Sequence, residues 1–164
     1  MIQRVFKDTD IQIIESIAHK TWNAHYVPII GQNQVDYMLE KLQNFDAISS
    51  QIKNGHEYYL ISTTKKAVGY LCLISDNEKK KIMISKIYIE KSATGSGLGT
   101  EFINFTKNLA KEKGMKKIWL TVNKNNSDTI QWYKNLQFKI TKEVKMDIGN
   151  DFIMDDFVME LKLI

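Results

Sequence analysis

The stretch IMISKIYI (Ile82–Ile89), followed by TGSGLGT (Thr94–Thr100) and by apolar residues at Leu98, Phe102, Phe105 and Leu109, decides how this chain folds. The first part reads as a strand and the last as one face of a helix that Gly114 closes. IWLTV (Ile118–Val122) then supplies another strand. A strand, helix, strand unit needs a crossover, so its two strands lie parallel. Between strand and helix, TGSGLGT gathers backbone N–H groups at the positive end of the helix, an arrangement that holds an anion. Glycine suits such a place because it carries no Cβ to obstruct the anion and tolerates positive φ. Two common phosphate loops fail on spacing. A dinucleotide fingerprint needs its third glycine where Thr100 stands, and a Walker loop needs a lysine directly after Gly99.

Upstream, Gln3 to Phe6 reads as a short strand, and Asp10 caps a helix with Ile11, Ile14, Ile17, Ala18 and Trp22 on one face. Pro28 ends that region. Val35, Met38, Leu39 and Leu42 mark a second helix, and Phe45 to Lys53 a short turn before Asn54-Gly55. Tyr58 to Ser62, Ala67 to Ile74 and Ile82 to Ile89 form an antiparallel meander. Downstream come a helix over Ser127 to Leu136, a strand over Phe138 to Val144, and a last strand in which Phe157, Met159, Leu161 and Leu163 alternate. The sum is a mixed α/β fold, with one parallel pair in an otherwise largely antiparallel sheet.

A chain of 164 residues with 43% hydrophobic and 26% charged residues matches one globular domain over residues 1–164. The sequence shows no secretory signal and no apolar run of membrane-spanning length, which points to the cytoplasm and away from a membrane partner. The formal charge of +4 would suit nucleic acid, but the lysines are dispersed, so no nucleic-acid partner is expected. Cys72, the only cysteine, reads as a small buried hydrophobe. His19, His25 and His56 show no ligand spacing, so no metal is expected.

Ile87-Tyr88-Ile89 and Thr94-Gly95-Ser96-Gly97-Leu98-Gly99 resemble the cofactor loop of the GNAT superfamily of acetyltransferases. That loop reads Arg/Gln-x-x-Gly-x-Gly/Ala after an apolar-Tyr-apolar triplet. Thr94 replaces the Arg or Gln, removing one side-chain contact and keeping the backbone donors. A second match is Asn126-Ser127-Asp128-Thr129-Ile130-Gln131-Trp132-Tyr133-Lys134-Asn135-Leu136-Gln137-Phe138. It is similar to the family's Asn-x-x-Ala-x-x-x-Tyr-x-x-x-Gly-Phe, with Thr129 for Ala and Gln137 for Gly. The combination of Thr21-Trp22, Tyr26, the Ile82 to Ile89 strand and Ile118-Trp119-Leu120 looks like the bacterial polyamine N-acetyltransferase branch.

The resemblance implies a mostly antiparallel sheet of six to seven strands with a central, splayed parallel pair and flanking helices. It also implies acetyl-CoA as donor, held by Ile87, Tyr88, Ile89, the loop Thr94 to Thr100 (with Ser96, Leu98 and Gly99), Asn126 and Tyr133. Main-chain groups of Ile87 and Ile89 would pair with the pantetheine arm, and an N–H near Ile89 would polarise the thioester carbonyl. Tyr133 is the expected catalytic residue, hydrogen-bonded to the departing sulfur. Full transfer from a phenol near pKa ~10 to a thiolate near ~8.5 is uphill by roughly 2 kcal/mol, so hydrogen bonding comes first and transfer late.

The attacking amine must shed a proton, since an alkylamine near pKa ~10.4 is about one part in a thousand neutral near pH 7.4. Relatives often carry a strand glutamate for this, but Met83-Ile84-Ser85-Lys86 has no acid. Ser85 can order a water, and His25, Tyr26 and Asp156 can approach from other elements; the residues single out none as base. Trp22, Tyr26, Met38 and Ser85 are candidates for the acceptor site. Asp147, Asp151, Asp155, Asp156 and Glu160 accompany a single lysine between Lys145 and Glu160, a local acidity suited to a cationic amine or to a solvated loop. Three functions remain open: acetylation of a small amine, acetylation of protein amino termini or lysines, and non-catalytic acyl-CoA binding. A homodimer is compatible with each.

Overall fold

The computed structural model describes residues 1–164. In chain order the elements are β1 (Ile2–Arg4), α1 (Asp8–His25), α2 (Val27–Ile30), α3 (Gln32–Leu42), α4 (Phe45–Lys53), β2 (Glu57–Ser62), β3 (Ala67–Asp76) and β4 (Lys81–Ile89). They continue with α5 (Leu98–Glu112), β5 (Lys117–Asn123), α6 (Ser127–Asn135), β6 (Lys139–Gly149) and β7 (Phe152–Lys162). The strands form one seven-stranded sheet in the order β1-β2-β3-β4-β5-β7-β6. β4 and β5 are the expected parallel pair, registered Lys81–Met83 against Lys117–Trp119. The pairs β1–β2, β2–β3, β5–β7 and β6–β7 are antiparallel. No helix is long and apolar enough to cross a membrane.

The chain divides into two compact units, one of Met1–Ile74 with Ser85–Thr106, the other of Ser75–Ile84 with Lys107–Ile164. The first unit buries Ile14, Ile17, Ala18 and Trp22 of α1, Val35, Met38 and Leu39 of α3, and Tyr58, Leu60, Tyr70 and Leu71 of the sheet. The second buries Ile82, Ile118, Leu120, Val122, Ile130, Tyr133, Phe138, Val158 and Met159.

Several local expectations shift. Lys7, not Asp10, takes the cap position of α1 in extended geometry, and Asp8 and Asp10 fall in the first turn, where acids favour the helix's positive end. Pro28 lies in the first turn of α2, where a missing N–H costs nothing. Phe45 to Lys53 is a helix, because the Asn44 side chain accepts the Ala47 N–H at 2.8 Å and Ile48 is buried. The largest difference is the acidic stretch. β6 and β7 form a long hairpin through Asn150 and Asp151, both at positive φ, rather than two strands flanking a loop. β6 is the outer strand and mostly exposed, so its polar residues hide the strand period.

Gly69 of β3 fixes the end of β4. A Cβ built there would sit 2.5 Å from Ile89 Cδ1 and 2.6 Å from the Tyr88 carbonyl oxygen, and the latter cannot rotate away. Gly69→Ala is expected to destabilise the protein by about 3 kcal/mol in urea unfolding, at the upper end of overpacking costs, because main chain has to move.

Candidate active site

In the first unit, β4 leads into the glycine loop through a tethered corner. The Glu90 N–H donates to the Val68 carbonyl at 2.7 Å, and its buried carboxylate holds Lys66 at 2.7 Å and Lys20 at 3.5 Å. The hydrogen bond from Lys66, with the Lys20 charge, keeps that carboxyl below its usual range. A single 3₁₀ turn, Lys91–Ala93, follows. Thr94 Oγ1 donates to the Lys91 carbonyl at 2.8 Å and Ser96 Oγ to the Ala93 carbonyl at 2.5 Å, so both hydroxyls brace the loop itself.

Gly95 and Gly97 sit at φ 78° and 83°, and a Cβ on either would meet nothing within 4 Å. The Gly97 carbonyl accepts the Glu101 N–H at 2.9 Å, which starts α5. The first-turn N–H groups at Leu98, Gly99 and Thr100 therefore have no carbonyl within the helix. An exposed, left-handed glycine backbone opening onto free space at a helix start fits a diphosphate. Thr94, occupied with Lys91, leaves that task to the backbone.

The half-buried Tyr88 belongs to an aromatic cluster that includes two of the expected acceptor residues. Trp22 lies 4.6 Å from Tyr26 and 5.4 Å from Tyr88 between ring centroids, and Tyr88 is 5.3 Å from Tyr70. Met38 is buried in the helical layer on α3. Ser85 is within hydrogen-bond reach of the Cys72 thiol, a buried group pushed up to about 11 by burial. Ile87 and Ile89 are half-buried at the end of β4.

Sequence reasoning missed Lys86. Its ammonium is buried and donates to the Leu42 carbonyl at 3.2 Å, to Gln51 Oε1 at 2.6 Å and to the Tyr58 hydroxyl. Tyr58 in turn donates to Gln51 Oε1 at 2.6 Å. Burial lowers the lysine to about 8, and with the Lys86 charge it also lowers His56. This tripod fastens the ends of α3 and α4, together with β2, to β4. The signal was parity, since Lys86 shares its strand face with Ile82 and Ile84.

In the second unit, Asn126 is buried at the start of α6, its N–H on the Asn123 carbonyl and its carbonyl on the Ile130 N–H, both at 3.0 Å. Tyr133 is 4% exposed, its ring 5.5 Å from Phe138 and 4.9 Å from Trp132. The helix closes with the Gln137 N–H on the Lys134 carbonyl and the Phe138 N–H on the Tyr133 carbonyl, both at 3.0 Å. Gln137 takes φ 73°, so the closure is the left-handed one that favours glycine. That is the position where the motif expects Gly.

The acids of the hairpin are mostly in use. Glu160 pairs with Lys117 at 2.9 Å, Asp155 with Lys124 at 2.9 Å, and Asp147 accepts the Gly149 N–H at 2.8 Å. Asp151 is exposed in the turn, whereas Asp156 is 1% exposed.

Residues 15–138 match the acetyltransferase (GNAT) family model. An uncharacterized N-acetyltransferase of Methanocaldococcus jannaschii is 30% identical over 93 residues, 54% of this chain and 41% of that protein. One from Lactobacillus delbrueckii subsp. lactis is 26% identical over 133 residues, 77% of this chain and 76% of that protein. The match thus spans less than half the length of the first relative and about three quarters of the second. Among solved structures, the PaiA N-acetyltransferase of Thermoplasma acidophilum in complex with coenzyme A has a TM-score of 0.82 at 18% identity, covering 99% of both chains. A GNAT acetyltransferase of Elizabethkingia anophelis with acetyl-CoA bound has a TM-score of 0.59 at 18% identity, covering 71% of this chain and 82% of that one. With both motifs in their structural places, on the loop before α5 and on α6, and the family model matching most of the sequence, the chain belongs to the acetyltransferase (GNAT) family.

Proposed function

We propose that this protein is an N-acetyltransferase, working as a single domain, that moves the acetyl group of acetyl-CoA to a polyamine or other small cationic amine by direct attack on the thioester. The observation that carries this reading is the left-handed pair Gly95 and Gly97 opening onto free space at the start of α5, within the family match. When bound, acetyl-CoA supplies a thioester carbonyl open to attack by an amine. The loop N–H groups neutralise its diphosphate. β4 runs on from its last registered pair at Met83 to Ile89, which supports main-chain pairing of Ile87 and Ile89 with the pantetheine arm. The N–H near Ile89 stabilises negative charge on the carbonyl oxygen. Tyr133 directs its hydroxyl at the departing sulfur, while Trp22, Tyr26 and Met38 wall the acceptor and Ser85 orders a water beside it. Trp22, Tyr26 and Tyr88 pack ring against ring, which supports an aromatic wall there.

The test is thiol release from acetyl-CoA by the purified protein with spermidine, with a weakly basic monoamine at matched pH, or with a peptide bearing a free amino terminus. Spermidine-dependent release, faster than with the other two, is the expected result. Preference for the peptide would replace the acceptor class, and no release with any amine would remove the activity.

A further inference from the structure

Asp156 is the most deeply buried acid of the chain, 1% exposed, and its Oδ1 meets no hydrogen-bond donor. It lies on β7 opposite Asn123 of β5 and Val144 of β6. Asn123 is the last residue of β5, so the carboxyl stands at the C-terminal end of that strand, just before the turn into α6. An unsatisfied buried carboxylate costs several kcal/mol, and a native fold that keeps one calls for an explanation. The cation nearest along β5, Lys124, is committed to Asp155 at 2.9 Å and Glu143 at 2.8 Å. Thr121 of β5 donates one hydrogen bond to the Asp156 carboxyl, and the Asp155 charge opposes it. From β6 the facing residue is Val144, with Glu143 and Lys145 on either side of it.

We infer that Asp156 is the seat of the acceptor's ammonium and the group that takes its proton. This rests on the acetyltransfer reading above. Among the groups that sequence left open for this role, His25 is exposed and Tyr26 packs edge-on against it and over Trp22, whereas Asp156 alone is fully buried with an oxygen free. A cationic amine supplies the missing donor. R–NH₃⁺ then gives one proton to the Asp156 carboxylate, leaving R–NH₂ and a carboxylic acid. The nitrogen lone pair forms the N–C bond to the acetyl carbon, and the C–S bond breaks with its electron pair passing to sulfur. The second nitrogen proton ends on that sulfur as the thiol, and Asp156 returns its own to water. Burial, with help from Asp155 and against the Thr121 hydrogen bond, raises the carboxyl to about 6, so the group is ionised at neutral pH and is a far better base than an ordinary aspartate.

Asp156→Asn keeps shape and removes charge. The expected loss is ~100-fold in kcat/KM for spermidine, with CoA affinity unchanged and the acid limb of the pH profile gone. The carbon-13 shift of the Asp156 carboxyl gives a readout without turnover. Its midpoint in the free protein should lie near 6 and move down when spermidine is added. In Thr121→Val, which removes the hydrogen bond that lowers it, the midpoint and the acid limb should both move up; this variant decides the matter if Asp156→Asn does not fold. Native kcat/KM in Asp156→Asn, or a midpoint indifferent to spermidine, overturns the inference. If the native protein acetylates no amine, the activity reading fails separately, and the spermidine titration still judges the Asp156 site.

Discussion

Tyr133→Phe is expected to bind CoA as the native protein does and to lose ~100-fold or more in kcat. The ring is 4% exposed and packed against Phe138 and Trp132, and phenylalanine retains that packing, so the substitution removes a hydroxyl and little else. The α6 closure also survives, because it uses the Tyr133 carbonyl rather than its side chain. Loss of one buried hydroxyl costs about 1 kcal/mol of stability, which leaves a protein of this size folded at assay temperature. On the role proposed for Tyr133, the penalty falls on the step in which sulfur departs. Steady-state kinetics paired with calorimetric CoA titration separates the two effects; unchanged kcat takes Tyr133 out of the mechanism.

The order of elements was legible because the signals that set it are local. Strand period, helix period and glycine punctuation lie within windows of a few residues, and Ile82 to Val122 displays all three in succession. The crossover from β4 through α5 to β5 follows from chain geometry alone. What escaped depended on partners distant in sequence. Lys86 reads as a surface charge until Leu42, Gln51 and Tyr58 arrive from other elements to surround it. The β6–β7 hairpin hid its period because an outer strand presents polar residues on both faces. Its acids looked like an open acidic patch, yet Lys117 and Lys124 meet two of them, and only pairing with β5 reveals Asp156 as buried.

The family motif also becomes physical in the structure. Its Gly before Phe marks the left-handed closure of α6, and Gln137 occupies that conformation at a strain cost of about 1 kcal/mol. The Schellman bonds to the Lys134 and Tyr133 carbonyls offset that strain, so this departure changes stability rather than the placement of Tyr133. On the proposed reading, Thr94 is the departure that touches binding, since its hydroxyl is turned onto Lys91 and the diphosphate would be left to main chain. With no long side chain sharing the load, the two left-handed glycines carry more of it.

Gly97→Val is the sharpest test of that dependence. The φ of 83° at Gly97 is a conformation that a β-branched residue essentially does not adopt, while a side chain there would meet nothing within 4 Å. The penalty is therefore one of backbone conformation, not of crowding, and the chain relieves it by rotating φ to negative values. That rotation swings the Leu98 N–H and the opening turn of α5 away from the diphosphate. The expected result is a CoA Kd raised ~100-fold, about 2.7 kcal/mol, with melting little altered because the loop is exposed and outside the core. Gly69→Ala should instead show a large fall in stability, since its Cβ strikes the Tyr88 carbonyl oxygen at 2.6 Å. Thermal melting separates the two variants: Gly69→Ala melts lower, whereas Gly97→Val loses CoA affinity with its melting little changed. Native CoA affinity in Gly97→Val would mean that the diphosphate is held somewhere other than the start of α5.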